Sequence, residues 1–258
     1  MNIEGVILVL SCQKHIQTRL KEFRLKNSEY EGWKVIYVIG DLFLDREYRL
    51  QNDLLIVKTE DSYVHLLKKL VLSIKYLRQI YTIRQGILRC GDDLIFNEIN
   101  LIKFLNATKT YDFLGFSPLY KSLLYPNREE LKKTRDDYFI YDYYSQHPED
   151  FLNPQHNLKG VNIQKYIKRP DIYGAWGALY YISNYSCEVL VNKMEEIGYD
   201  IFHYDTFSKS YPYTIEDVAV SYILYLKGIP FIHDNHFVAD NTFSNFSNNI
   251  AVATNKYK

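Results

Sequence analysis

The stretch Arg89-Cys90-Gly91-Asp92-Asp93-Leu94-Ile95-Phe96-Asn97 places two adjacent carboxylates at the end of one apolar run and just before another. Carboxylates that stand where a strand leaves a sheet can hold a hard divalent cation, and a cation there can hold a diphosphate. That is a first pointer toward an enzyme that uses nucleotide sugars. The competing reading is structural, because short acidic side chains also cap turns and helix starts. A second acidic pair, Glu216-Asp217, opens an apolar run that stops at Gly228-Ile229-Pro230. Thr214-x-x-Asp217 has the spacing of a capping box, which would turn the Asp217 carboxylate back onto the start of its own helix.

These residues need a scaffold, and the hydrophobic pattern supplies one. Val6 to Leu10 is a continuous aliphatic run of the kind a buried parallel strand gives, and a basic helical stretch follows from Arg19 to Lys26. Trp33 to Ile39, closed by Gly40-Asp41, repeats the strand signal, and Leu54 to Val57 gives a third short strand. From Asp61 the period changes: Leu66, Leu67, Leu70, Val71, Ile74 and Leu77 mark one face of a long helix. The first half therefore reads β-α-β-β-α-β, and a strand from Gly86 to Cys90 delivers Asp92 and Asp93 to the carboxyl edge of the sheet. Phe113 to Phe116 and Tyr173 to Ser183 read as later strands. Residues 126–169, rich in charge, Tyr and Asn, read as an excursion of loops and short helices on the acceptor side. The tail after Asn241 is Asn/Ser-rich and is expected to fray.

Composition narrows the partners. Thirty-one basic and 31 acidic residues give a formal net charge of zero, which leaves no electrostatic footprint for nucleic acid. The 25 tyrosines suit walls that meet sugar rings, and an AT-rich coding sequence would also produce them. Three distant cysteines, Cys12, Cys90 and Cys187, have neither disulfide nor zinc spacing and read as reduced thiols. With no basic leader and no apolar run long enough to span a bilayer, the chain is expected to be soluble and cytoplasmic.

Four blocks, in order, resemble the inverting β-1,3-glycosyltransferase family that contains the β-1,3-galactosyltransferases and fringe. Asp61-Ser62-Tyr63-Val64-His65-Leu66-Leu67-Lys68-Lys69 is similar to that family's D-S-Y-x-N-L-x-x-K, with His65 in place of Asn. Arg89 to Asn97 resembles K-x-D-D-D-x-F-x-N, with Gly91 in place of the first Asp. Trp176-Gly177-Ala178-Leu179-Tyr180-Tyr181-Ile182-Ser183 resembles S-G-G-G-Y-x-x-S, and Glu216-Asp217-Val218 matches E-D-V. The resemblance spans residues 5–237. It implies an α/β, GT-A (Rossmann-like) single domain over 1–240 with a central mixed, mostly parallel sheet. In that scheme 1–117 forms the nucleotide-sugar half, 118–240 the acceptor half and 241–258 a tail.

The resemblance also implies roles. Asp93, at the family's third Asp, is the expected ligand of Mn²⁺ or another divalent cation, with Asp92 contacting the cation's waters or the ribose of a UDP-sugar. Asp217 is the expected base that takes the proton of the acceptor hydroxyl, and Glu216 the reserve base. Fringe-like enzymes complete the metal shell with a late histidine, for which His236 is the candidate and His233 its rival. Lys69 occupies a position that would pair with the donor phosphates or with Asp93, and Arg19 one near the uracil and phosphate, each with a solvated helix face as the plainer explanation. Trp176 and Gly177 would form the sugar pocket. The implied activity is metal-dependent, inverting transfer of a hexose or N-acetylhexosamine from a UDP-sugar to a carbohydrate hydroxyl, forming a β-1,3 linkage. Departure from the anchored, cysteine-paired animal enzymes points to a bacterial or viral setting, the viral one on the Ile/Lys/Asn/Tyr-rich composition alone. The alternative is a catalytically silent sugar-binding module of the same fold.

Overall fold

The structure, a computed structural model, describes residues 1–23, 25, 27, 29–117, 127–203, 207–240 and 247–254. The unalternating run at the N-terminus becomes strand β1 (Asn2–Leu10). It needs no alternation because both faces are covered: Val6, Leu8 and Leu10 enter the core on one side, Ile7 and Val9 the core on the other. A short helix α1 (Arg19–Glu22) and the two-residue β2 (Glu29–Tyr30) lead to β3 (Trp33–Gly40), β4 (Tyr48–Gln51) and β5 (Leu54–Val57). The long amphipathic segment is α2 (Leu66–Ile80), with Leu67, Leu70, Val71, Ile74 and Leu77 all buried as their spacing requires. It returns the chain to β6 (Thr82–Gly91). Truncating a fully buried residue here, Leu70→Ala for example, costs about 2–5 kcal/mol.

β5, β3, β1 and β6 pair in parallel in that order, with β4 and β2 antiparallel on the flank. The chain leaves β1 toward β3 on one side and comes back to β6 on the other. The carboxyl ends of β1 and β6 therefore flank a topological switch point, where open α/β sheets bind ligands.

After β6 come β7 (Leu94–Phe96), α3 (Glu98–Asn106), β8 (Phe113–Gly115), β9 (Thr134–Asp137), α4 (Phe139–Gln146), β10 (Ile167–Pro170) and β11 (Leu179–Ser183). Then follow α5 (Asn184–Glu196), α6 (Glu216–Leu226), β12 (Ile232–His233), β13 (Val238–Asp240) and β14 (Ala251–Ala253). β11 lies antiparallel between β6 and β8, and β12 runs parallel to β8, so strands from both halves complete one mixed sheet. Helices α2, α5 and α6 contribute to the core on one face, and α3 to the core on the other. This is the α/β architecture with a central mixed sheet that the pattern predicts.

Two local expectations differ. Ala251–Ala253 does not fray: it is strand β14, buried between β13 and β7. Its small residues fit against the sheet where a composition rule sees only Asn and Ser around them. The rest of the tail, 241–246 and 255–258, lies outside the described residues, as do Pro126 at the start of the excursion and residues 24 and 26 of the basic stretch. The excursion itself holds the antiparallel pair β9–β10 and α4. No helix among the described residues is long and apolar enough to cross a membrane.

Candidate active site

The first cluster forms where β1 and β6 end side by side. Asp92 is buried and its carboxylate accepts from Ser11 Oγ at 2.6 Å, with His15 Nδ1 at 3.0 Å and Arg19 Nη1 at 3.5 Å. Burial opposes its charge, but the hydrogen bonds from His15 and Ser11, with the charges of His15 and Arg19 nearby, outweigh it and hold Asp92 below the usual carboxylate range. Asp92 therefore anchors the loop after β1, and Arg19 faces it instead of open solvent. Neither acid caps the following helix: that role falls to Asn97, whose Oδ1 accepts from Asn100 N.

Asp93 is different. Its backbone carbonyl accepts from the amide and hydroxyl of Thr254, while among the described residues no other side chain donates to its carboxylate. Burial and the neighbouring Asp92 charge raise its pKa. A bound cation would supply the counter-charge that such a carboxylate lacks. Gly91 matters here, because a Cβ at that position would stand 2.8 Å from Asp93 Oδ1. The family's Asp at this place would displace the carboxylate that this chain presents.

Lys69 is neither solvated nor directed at Asp93. It is 2 % exposed and donates to Asp61 Oδ1 at 2.8 Å and to the Ser11 carbonyl at 2.5 Å. Asp61 also accepts the amides of Gln13 at 2.6 Å and Gly40 at 2.8 Å. This buried pair ties the ends of β1 and β3 to α2, which explains the Asp61 and Lys69 spacing and makes Lys69 a support for the site, not a contact to phosphate.

The second cluster forms around Asp217. The capping box is absent: the N-cap of α6 is Ile215 without a side-chain bond, and the Thr214 hydroxyl turns to the Ser210 carbonyl. Asp217 instead accepts the Gly177 amide at 2.7 Å and its neighbour Val218's amide at 2.8 Å. A Cβ at residue 177 would lie 3.0 Å from Asp217 Oδ2, so glycine is what allows this approach. Burial raises the Asp217 pKa above its ordinary value, and the Gly177 amide and Arg89 limit the rise. The carboxylate lines a cleft of about 210 Å³ together with Trp176, Phe139, Asp137 and Arg169.

Glu216 points away from that cleft. It accepts from Arg89 Nη2 at 2.9 Å and from the Tyr180 hydroxyl, and both members of the ion pair have side chains 4 % exposed. It cannot reach an acceptor, so the reserve-base expectation is corrected to a structural role. Tyr180 and Tyr181 are likewise core residues.

The two clusters meet through one segment. Gly91 N donates to the Ala178 carbonyl while Gly177 N donates to Asp217, so the residues preceding β11 stand between the Asp93 loop and the start of α6. Blocks more than 80 residues apart in sequence are thus joined.

His236 is not joined to them. It is exposed, bonded to Asp234, and its carbonyl accepts from Ile250 N, whereas Asp93 is bonded to Thr254. Four residues along one extended segment is roughly 13 Å at ~3.3 Å per residue, too far for both side chains to share an ion. His233 accepts the Ser117 amide on Nδ1 and lies against Phe116, which contacts Trp176. Among the described residues no group of three or more His, Cys, Asp or Glu gathers to hold a metal. Asp93 alone fits a cation whose remaining ligands are substrate phosphates and water, which is how Mg²⁺-like ions are commonly held.

Ser11, His15, Arg89, Asp137 and Arg169 were not identified from sequence. Ser11 and His15 carried one usable signal, their place directly after the first strand.

No protein-family profile matches the chain, and no curated protein matches it. Among solved structures, the apo form of mouse xyloside xylosyltransferase 1 is similar over 100 % of this chain and 99 % of its own, at 10 % identity and a TM-score of 0.42.

Proposed function

We propose that the chain is an inverting, metal-dependent glycosyltransferase of the GT-A type, moving a hexose or N-acetylhexosamine from a UDP-sugar to a carbohydrate hydroxyl in β-1,3 linkage. The observation that carries this reading is the junction of Gly91, two residues before Asp93, with Ala178 and of Gly177 with Asp217, where β6 of the mixed sheet ends. One site then offers a carboxylate for the donor side and a carboxylate for the acceptor side.

A divalent cation held by Asp93 would neutralise the charge that develops on the leaving diphosphate. The chain's own part is positional. The amides of Gly177 and Val218 fix Asp217, so that a remaining lone pair can take the proton of the attacking hydroxyl. Its raised pKa strengthens it as a base. Ser11, His15 and Arg19 hold Asp92, which keeps the adjacent Asp93 in place. Trp176 offers a ring face to a sugar.

The test is UDP release from a panel of UDP-sugars, with Mn²⁺ or with chelator, with and without simple sugar acceptors. Metal-dependent release from one donor supports the reading. Asp93→Ala is expected to abolish metal-dependent UDP binding, and Asp217→Asn to keep binding while transfer falls about 10²–10⁴-fold. Full transfer by Asp217→Asn would remove the base assignment. No release and no UDP binding would favour the silent sugar-binding module.

A further inference from the structure

One wall of the Asp217 cleft belongs to the excursion between β8 and β11, the part of the chain that matches none of the four blocks. Asp137 ends β9, Arg169 lies on β10 and Phe139 begins α4. Arg169 Nε donates to Asp137 Oδ2 at 2.7 Å and Nη1 approaches the Pro170 carbonyl at 3.5 Å, while the Phe139 amide donates to Asp137 Oδ1 at 2.9 Å. The two ionic side chains are only 11 % and 17 % exposed. Among the described residues Nη2 makes no hydrogen bond, so the guanidinium that lines the cleft with Asp137 keeps a donor to spare.

The charge balance of this wall selects its ligand. An unpaired arginine would suit a phosphate or a carboxylate, but the Arg169 charge is already matched by Asp137. What remains is a neutral, rigid set of donors and acceptors, suited to adjacent hydroxyl groups. Aromatic faces flank it: Trp176 within the cleft and Phe139, 49 % exposed, at its edge. Phe139 is backed by the partly buried Tyr63, with ring centroids 5.4 Å apart, and Tyr138 and Tyr166, each about half exposed, meet at 6.2 Å on the same excursion. Exposed aromatics gathered on one excursion beside a polar cleft mark a binding surface. Aromatic faces with hydroxyl-pairing groups between them are the recognition chemistry of a saccharide.

We propose that Phe139, Asp137 and Arg169 form a second-ring subsite, so that the acceptor is an uncharged oligosaccharide of at least two rings, the first lying against Trp176 beside Asp217. The inference rests on the proposed transferase reading, because Asp217 defines which ring is first.

The test uses an array of uncharged, β-linked mono-, di- and trisaccharides of hexoses and N-acetylhexosamines, probed with the labelled whole chain in UDP and Mn²⁺. Variants are Phe139→Ala, Arg169→Lys and Tyr185→Ala; the last is an exposed residue on α5. Thermal melting confirms folding, and calorimetry measures UDP binding for each. The expected result is at least tenfold tighter binding of one disaccharide than of its terminal monosaccharide. That gain should be lost in Phe139→Ala and Arg169→Lys, and kept in Tyr185→Ala, with UDP binding unchanged throughout. Arg169→Lys is informative because lysine keeps the charge and loses the planar fork. Equal binding of mono- and disaccharides, disaccharide binding unaffected by the first two variants, or no saccharide bound at all would overturn the subsite. If UDP still binds in those cases, the transferase reading survives. Saccharide binding without UDP binding or turnover would leave the subsite standing and remove that reading.

Discussion

Removing one partner of the Arg89–Glu216 pair tests whether Glu216 is structure or chemistry. Arg89 extends from β6 and Glu216 from the first turn of α6, so the pair fastens the helix that carries Asp217 to the central sheet. In Arg89→Met the Glu216 carboxylate is left almost fully buried beside Asp217, with the Tyr180 hydroxyl as its remaining partner. Breaking a buried pair from one side costs about 3–5 kcal/mol, because a charge loses its counter-charge without regaining water. For a chain of this size, at ~2–4 °C per kcal/mol, that is a fall in Tm of about 6–20 °C. The double variant Arg89→Met/Glu216→Gln removes the stranded charge and keeps an acceptor for Tyr180. Arg89 Nε and Nη1 have no hydrogen-bond partner among the described residues, so little else is lost with the guanidinium. The double variant is therefore expected to be more stable than Arg89→Met by about 1–3 kcal/mol, a coupling typical of residues in contact. Urea and thermal melts of the four proteins measure the cycle. A loss below about 1 kcal/mol in Arg89→Met, or strict additivity in the double variant, would refute the argument. Glu216→Gln, assayed below its melting range, should keep transfer within about tenfold, unlike a lost base.

Two further outcomes follow from close contacts. Gly177→Ala puts a methyl 3.0 Å from Asp217 Oδ2 and should lower transfer with UDP binding unchanged; a variant with full turnover would show that this amide contact is dispensable. His65 is buried, bonded through Nδ1 to Ser62 Oγ at 2.6 Å, and desolvation pushes its pKa down to about 4, against the pull of Glu60. The unfolded chain binds a proton on this ring near pH 6.5 and the folded chain does not, so stability falls as pH drops from 6.5 toward 4 and levels off below. At 1.36 kcal/mol per unit the loss is on the order of 3 kcal/mol, and His65→Asn should flatten that segment of a urea-melt pH profile. An unchanged profile would assign the dependence to other groups.

What the sequence reveals depends on how far the cause lies from the residue. β1 and α2 are legible because burial repeats along the chain: an unbroken aliphatic run where both faces are covered, a helical period where one is. The four blocks are legible as strings: Trp176 and Asp217 line one cleft, Gly177 donates to Asp217, and Gly91 of the Asp93 block bonds to Ala178. The partners of those strings are not. Lys69 has the periodicity of a helix face, yet its ammonium is matched by Asp61 across the end of β1, a contact only the fold creates. The Thr214 capping box has correct spacing, but α6 starts one residue later, with Ile215 as its N-cap, and the Asp217 carboxylate takes the Gly177 amide. His236 has the right chemistry and the wrong register, since β14 sets it four residues from the level of Asp93. Ala251–Ala253 was hidden by the Asn and Ser around it.

The two acidic pairs follow one geometric rule. Asp92 and Asp93 sit at the bend between β6 and β7, and adjacent residues in a helix's first turn lie about 100° apart, so in both pairs the neighbouring carboxylates turn to different sides. At the end of β6, Asp92 turns inward to Ser11, His15 and Arg19, and among the described residues Asp93 is left without a side-chain donor to its carboxylate. At the start of α6, Glu216 turns inward to Arg89 and Tyr180, and Asp217 meets the cleft. Each inward acid is compensated by buried donors and fixes the backbone from which the outward acid extends. Burial raises the proton affinity of Asp93, Asp217 and the inward Glu216 alike, and only Asp92 is held down, so hydrogen bonding and not proton affinity separates the members of each pair. In the proposed reading each doubled acid supplies one anchor and one group for chemistry. The member to mutate for activity is the one whose neighbour is already hydrogen-bonded inside.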